Sequence, residues 1–191
     1  MSSKVLIGGA IVVTLGLFVI VGFSGGSSPS YGASIGHGAL GSGSQKNQVP
    51  NLTLKKLGGG EITLSEFTGK KSVVVDFWAS WCPNCRRDMP NLNRFYEKYK
   101  DDVEVIGVNL RESESTVQNF INSLGISFPI ALDPRGEASR AFGIQYTNTH
   151  FLIDINGNIV RMIPGDIREA DIVSLIEQSN TLKDQAPISD E

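Results

Sequence analysis

The chain has 191 residues, room for one domain of ordinary size plus an appendage. Its 17 Lys and Arg against 20 Asp and Glu give a formal net charge of -3, so it lacks the basic surplus that marks a nucleic-acid binder. With only two cysteines a disulfide framework is excluded: the two sulfurs pair with each other or hold something together.

Residues 5–23, VLIGGAIVVTLGLFVIVGF, carry no charge and one polar side chain, Thr14. Coiled as a helix they extend roughly 28 Å, close to the ~30 Å hydrocarbon core of a bilayer. Residues 1–23 are therefore read as one transmembrane anchor, with a cleaved signal segment as the alternative; signal segments usually have a shorter apolar run of ~7–15 residues. Lys4 alone precedes the run and weakly favours an N-terminus inside the cell. Residues 24–48, rich in Gly and Ser and without periodicity, predict a flexible linker with a reach of roughly 25–30 Å. His37 within it reads as a solvated side chain. The folded domain is predicted over 49–180, with a polar tail at 181–191.

In the folded part, Leu52 and Leu54 alternate with polar residues, Gly58, Gly59 and Gly60 turn the chain, and Ile62 and Leu64 alternate again: a β-hairpin. One helical turn is predicted at 65–67. Residues 73–78, VVVDFW, read as a buried strand with one charge, Asp76. From Pro83 to Tyr99 a helical face collects Met89, Leu92, Tyr96 and Tyr99, and it continues past Pro90, which predicts a kink rather than an end. A buried strand follows at 103–110, then a helix at 113–124 stopped by Gly125. A strand at 128–132 and a short helix at 136–142 lead to strands at 149–155 and 159–163, joined by Asn156-Gly157, a strong two-residue hairpin signal. The last helix is predicted at 167–178. Strands and helices alternate, so the fold class is α/β around a mixed sheet.

Cys82 and Cys85 follow the 73–78 strand, with Pro83 where a helix begins. A thiol at a helix N-terminus is made acidic by the aligned peptide dipoles and free N–H groups. Proline is tolerated there because its missing N–H loses no helical bond. That makes Cys82 the attacking sulfur and Cys85, one turn in, the resolving one. The competing readings are half a zinc site and an inert pair; the only imidazoles are His37 and His150, and zinc generally wants four ligands. Asp76, a carboxylate in an apolar strand, is expected to have a raised pKa and to exchange protons near neutrality, or else to be a hydrogen-bonded structural residue. Asp88 shares a helical face with Cys85, or lies on the solvated surface. Arg86, one turn from Cys82, is placed to favour its thiolate modestly. His150 reads as a strand residue packed under the helices.

The stretch DFWASWCPNC with Pro90 five residues on, the N-terminal hairpin, the block VNLRESESTVQNFINSLGISFPIALD and the run GIQYTNTHFLIDINGNIV resemble the thioredoxin superfamily. Within it they resemble the branch of extracytoplasmic, membrane-tethered thiol–disulfide oxidoreductases of TlpA/ResA type. The resemblance spans about residues 48–180 and implies a thioredoxin fold with an inserted helical segment. The redox group would be the Cys82–Cys85 disulfide, with no other cofactor and no metal. Asp76 would lie beneath the cysteines and help take the proton of Cys85, and Asp88 matches a position where the branch carries a glutamate near the site. Pro83 and Asn84 would tune the redox potential, and Trp81, Thr147 and Asn148 would join them in contacting substrate. Implied partners are protein dithiols or disulfides, apocytochrome c among them, and a membrane thiol protein donating electrons. The alternatives are an oxidase or isomerase of secreted proteins, and a tethered binding module with a structural disulfide. The chain departs from the pattern at Asn148, which occupies the usual place of a cis-proline. A non-prolyl cis bond costs roughly 2.5–4 kcal/mol, so a trans bond and a reshaped loop are expected.

Overall fold

The computed structural model describes residues 47–185; the predicted anchor, His37 and nearly all of the predicted linker lie outside them. Strands β1 (Thr53–Lys56) and β2 (Glu61–Thr63) form the expected hairpin, closed through Gly58, Gly59 and Gly60, all at positive φ, and followed by a short 3-10 turn at Leu64–Phe67. Then come β3 (Ser72–Trp78), α1 (Pro83–Tyr99), β4 (Val103–Leu110), α2 (Glu114–Leu124), β5 (Ile130–Asp133), α3 (Glu137–Ala141), β6 (Thr149–Ile153), β7 (Ile159–Pro164) and α4 (Glu169–Asp184). They build a mixed seven-stranded sheet in the order β2-β1-β5-β4-β3-β6-β7. Within it β3, β4 and β5 run parallel, and the hairpins at either edge are antiparallel.

All seven residues of β3 are buried, because the strand is flanked on both edges and covered on both faces. Its alternation divides the core. Val73, Val75 and Phe77 pack with Ala138 of α3 and Phe151 on one side. Val74 and Trp78 pack on the other with Cys82, Cys85, Met89 and Leu92 of α1, Phe120 of α2 and Leu175 of α4. Side chains two apart on a strand share a face, so Asp76 points into the α1 side.

Helix α1 runs through Pro90 without ending, as its apolar face requires. Ser113 caps α2 by accepting the Thr116 N–H, and Gly125 ends it in the left-handed conformation at φ 64°. Several boundaries differ from the sequence reading. Strand β5 begins at Ile130 rather than Phe128. The β6–β7 connection is not a two-residue turn: β6 stops at Ile153, and the Asp154 carboxylate accepts the N–H groups of Asn156 (2.9 Å) and Asn158 (2.8 Å), building a longer loop around Gly157. Helix α4 runs on to Asp184, since Ser179, polar and hence unremarkable in sequence, is buried and hydrogen-bonded to Ser72 of β3.

Gly107, beside Asp76 in the sheet, has no room for a side chain: an added Cβ would lie 2.9 Å from Ile130 Cδ1, 2.9 Å from Phe128 Cε2 and 3.0 Å from Trp78 Nε1. Gly107→Ala is therefore expected to lower the unfolding free energy by about 1–3 kcal/mol in urea titrations, the usual cost of overpacking a core.

Candidate active site

The loop leaving β3 is short and tied down. Cys82 N–H donates to the Ala79 carbonyl (3.1 Å), and Glu112, just past the end of β4, accepts from Ser80 N–H (2.7 Å), Ser80 Oγ (2.5 Å) and Asn109 Nδ2 (2.7 Å). These bonds fix where α1 begins. Cys82 is its N-cap residue, with extended backbone (φ -81°, ψ 114°), Pro83 opens the helix, and Cys82 Sγ accepts the Cys85 N–H at 3.2 Å. The two cysteines form a disulfide with Cα atoms 5.3 Å apart. Cys82 is 5% exposed and Cys85 fully buried, the order expected of an outer and an inner sulfur. Among the described residues no group of His, Cys, Asp and Glu is arranged to hold a metal ion.

Charge around the sulfurs is mostly engaged elsewhere. The Arg86 guanidinium lies 4.8 Å above the Phe120 ring, which stacks on Trp78. Arg87 grips Asp166 with Nη2 2.7 Å from Oδ1 and Nε 3.2 Å from Oδ2, and its Nη1 donates to Asn84 Oδ1 at 3.0 Å. Beside the cysteines Trp81 is 68% exposed and borders a groove of about 540 Å³ with Arg111, Arg140, Ile144, Tyr146 and Thr147.

Asn148 faces this region through a trans peptide; the described residues contain no cis bond. It sits at φ 57°, a left-handed conformation that asparagine tolerates better than most residues. Its N–H donates to the Phe77 carbonyl (2.9 Å), its carbonyl accepts Gly165 N–H (2.7 Å), and its side-chain amide donates to Asp166 (3.2 Å). The reshaped loop is thus bonded to β3 and, through Asp166 and Arg87, to Asn84 between the two cysteines.

On the α1 face of the sheet three ionisable side chains are buried together. Asp76 of β3 and His150 of β6 are direct cross-strand partners, and His150 Nε2 lies 3.4 Å from Asp76 Oδ1 and 3.3 Å from Asp88 Oδ2. Asp88 is 1% exposed, not on the solvated surface, and its Oδ2 accepts the Ile167 N–H at 3.3 Å. Burial pushes Asp76 up to about 6, against the pull of His150 and with the help of Asp88. Burial also works to lower His150, but Asp76 and Asp88 outweigh it and raise the imidazole above its ordinary value. Reading the sequence brought Asp76 and Asp88 to the cysteines but left out His150 as a third member. The signal was available in its place two residues after Asn148, in a strand that pairs with β3. Glu112 and Asp166 were also missed; both act through loop contacts that have no periodicity.

Residues 44–177 match the Redoxin family. The thiol-disulfide oxidoreductase ResA of Halalkalibacterium halodurans is 39% identical over 131 residues, 68% of this chain and 74% of the relative. That of Bacillus subtilis is 33% identical over 142 residues, 72% of this chain and 79% of the relative. A solved thiol:disulfide interchange protein of the thioredoxin family from Chlorobium tepidum superposes with a TM-score of 0.63 at 25% identity, over 70% of this chain and 95% of that one.

Two outcomes follow from this geometry. Because folding raises the Asp76 pKa to about 6, the native state binds a proton more tightly than the unfolded chain between about pH 4 and 6. Ionising the group above that window costs the fold on the order of 2–3 kcal/mol. Asp76→Asn is expected to raise the unfolding free energy in urea at pH 7.5, with a gain that shrinks toward zero as the pH falls to about 4. Asn148→Pro is expected to destabilise by about 2 kcal/mol or more, since proline cannot reach positive φ and loses the N–H bonded to Phe77. Asn148→Gly should stay close to the parent. A melting curve on each variant decides, and a stabilised proline variant would mean that the loop adopts another conformation.

Proposed function

The chain belongs to the redoxin family and is a thiol–disulfide oxidoreductase, and on that premise we propose that it works outside the cytoplasm as a reductant of protein disulfides, apocytochrome c among them. The observation that carries this reading is the seat of Cys82: its sulfur at the helix N-terminus, accepting the Cys85 N–H, with no charged residue between the two cysteines. In the reduced protein that seat favours the Cys82 thiolate. The thiolate attacks one sulfur of a substrate disulfide, forming a mixed disulfide and expelling the other sulfur as a thiolate. Cys85 then gives up its proton, attacks Cys82 and releases the second substrate sulfur, so two electrons pass to the substrate and the Cys82–Cys85 disulfide forms. Asp76 and Asp88 serve as proton acceptors for the Cys85 step, and Trp81, Pro83, Asn84 and Thr147 line the surface that receives the substrate; Asn148, buried rather than exposed to it, orders the adjoining loop through its bonds to Phe77, Gly165 and Asp166.

The direction follows from what stabilises the thiolate. A cation inside the motif would favour the reduced form and make the pair an oxidant. Here the intervening residues are Pro83 and Asn84, Arg86 lies over Phe120, and Arg87 is held by Asp166. The thiolate is left with a helix terminus and one N–H donor, which favours a reducing pair over an oxidase or isomerase. Residues 5–23 would anchor the domain and 24–48 tether it, with a second membrane thiol protein supplying electrons. No helix among the described residues is long and apolar enough to cross a membrane, so the anchor rests on residues 5–23 alone.

The reduction potential of the full chain, equilibrated against glutathione or dithiothreitol, is expected below about -220 mV, nearer thioredoxin than the strong oxidants of the superfamily. A value near about -120 mV would make it an oxidase. Cys85→Ala should accumulate mixed disulfides through Cys82 and Cys82→Ala should trap few; equal trapping by both would reverse the roles of the sulfurs.

A further inference from the structure

The thiol chemistry above uses Asp76 and Asp88 and leaves His150 without a task. Its surroundings are not those of a packing residue. The ring is fully buried, yet among the described residues neither Nδ1 nor Nε2 has a well-formed hydrogen-bond partner, and the same holds for Asp76 Oδ1 and Asp88 Oδ1. Leaving such groups buried and unsatisfied is expensive, and an apolar side chain would fill the space without that cost. What the site offers instead is charge: one carboxylate from β3 and one from α1, both within 3.4 Å of Nε2. From β7 the register neighbour is Ile163, which brings no charge, and Asp88 is also held by the Ile167 N–H ahead of α4.

We propose that His150 is a positioning residue for the resolving step: held as an imidazolium between Asp76 and Asp88, it keeps the Asp76 carboxylate ionised and ready to receive the proton of Cys85. The proposal rests on the thiol–disulfide function given above and deepens it. The step balances. The Cys85 S–H bond breaks and its proton goes to Asp76, while the sulfur's electron pair forms the bond to Cys82. The bond from Cys82 to the substrate sulfur breaks, and that sulfur leaves with the electron pair and is protonated by water. Before the step the cluster holds one proton, on His150, for two carboxylates; after it, two. Without the imidazolium, burial and the neighbouring Asp88 both act to hold a proton on Asp76, which then cannot accept another.

The sign of the effect follows. Removing His150 raises the Asp76 pKa beyond about 6, so the resolving step slows at neutral pH and recovers in alkali. The test uses the reduced full-length protein and a chromogenic aryl disulfide in excess, followed by stopped flow from about pH 5.5 to 9. The first aryl thiolate released reports attack by Cys82, the second attack by Cys85. In His150→Gln the second release is expected to slow about tenfold near pH 6.5 and its profile to move up by about one pH unit. The first release should stay within about threefold of the parent, which shows that the site is folded. A second measurement needs no variant: the imidazole resonances of His150 in the parent should still be those of the protonated ring above about pH 6.5. An unshifted second phase in His150→Gln, or a His150 ring already neutral near pH 6.5, overturns the proposal. Loss of both releases in the parent protein would instead overturn the thiol–disulfide reading itself, and this proposal with it.

Discussion

Strand β3 is hydrogen-bonded on both edges and buried on both faces, and the site is built outward from that position. A strand so enclosed has one tolerable register, because a slip by one residue would turn its whole α1 face to the other side. The register sets Asp76 between Gly107 and His150, and puts Trp78 under α2. It also brings Cys82, through a loop clamped by Glu112, to the first turn of α1. The sheet therefore acts as a ruler. The helix terminus that seats Cys82 and the buried carboxylate of Asp76 are both placed from the same strand.

The second constraint is the Asn148 loop. Where the superfamily pattern places proline, this chain keeps a backbone N–H and uses it, bonding β6 to the end of β3 through Phe77. The left-handed asparagine then spends its side chain on Asp166, which Arg87 clasps from α1. An exposed ion pair alone contributes little, about 0–1 kcal/mol. This one is bidentate and bonded at both ends, so it orients more than it stabilises: it links the segment between the cysteines to the loop opposite them. In a plain cis-proline loop that alignment would come from the ring and the fixed peptide. Here it comes from a chain of side-chain bonds through Asp166 and Arg87 to Asn84.

Most of the fold was legible because its signals are local or periodic. The apolar run of β3, the 3.6-residue face of α1 past Pro90, the Ser113 cap and the Gly125 stop each carry their own cause in a few residues. The misplaced boundaries come from polar side chains whose bonds have no period: Ser179 is buried against Ser72, far off in sequence, and the Asp154 carboxylate takes up the nearby Asn156 and Asn158 N–H groups to build a loop. The site divides the same way. Cys82, Cys85 and Asp76 stand out because their residue types clash with, or punctuate, a local pattern. His150 does not, since a single histidine in an apolar strand has no preferred reading until its neighbour across the sheet is known. Asp88 was ambiguous for the same reason, because helical spacing gives its face but not what covers that face.

Burying two carboxylates and an imidazole within 3.4 Å is not a route to stability. Even well-paired buried ions are often no better than apolar side chains of the same volume, and breaking such a set leaves an uncompensated charge. This cluster is less than well paired, since its contacts are close but poorly aligned as hydrogen bonds. A fold with a typical ~5–15 kcal/mol in hand can carry such a defect only where the rest of the core is dense. That condition is met: aromatic and aliphatic side chains close both faces of β3, and Gly107 leaves no spare volume beside Asp76. In the exchange proposed above, the proton that must move inside this domain is that of Cys85. Cys85 lies one helical turn before Asp88 on the buried face of α1, the same side of the sheet as Asp76.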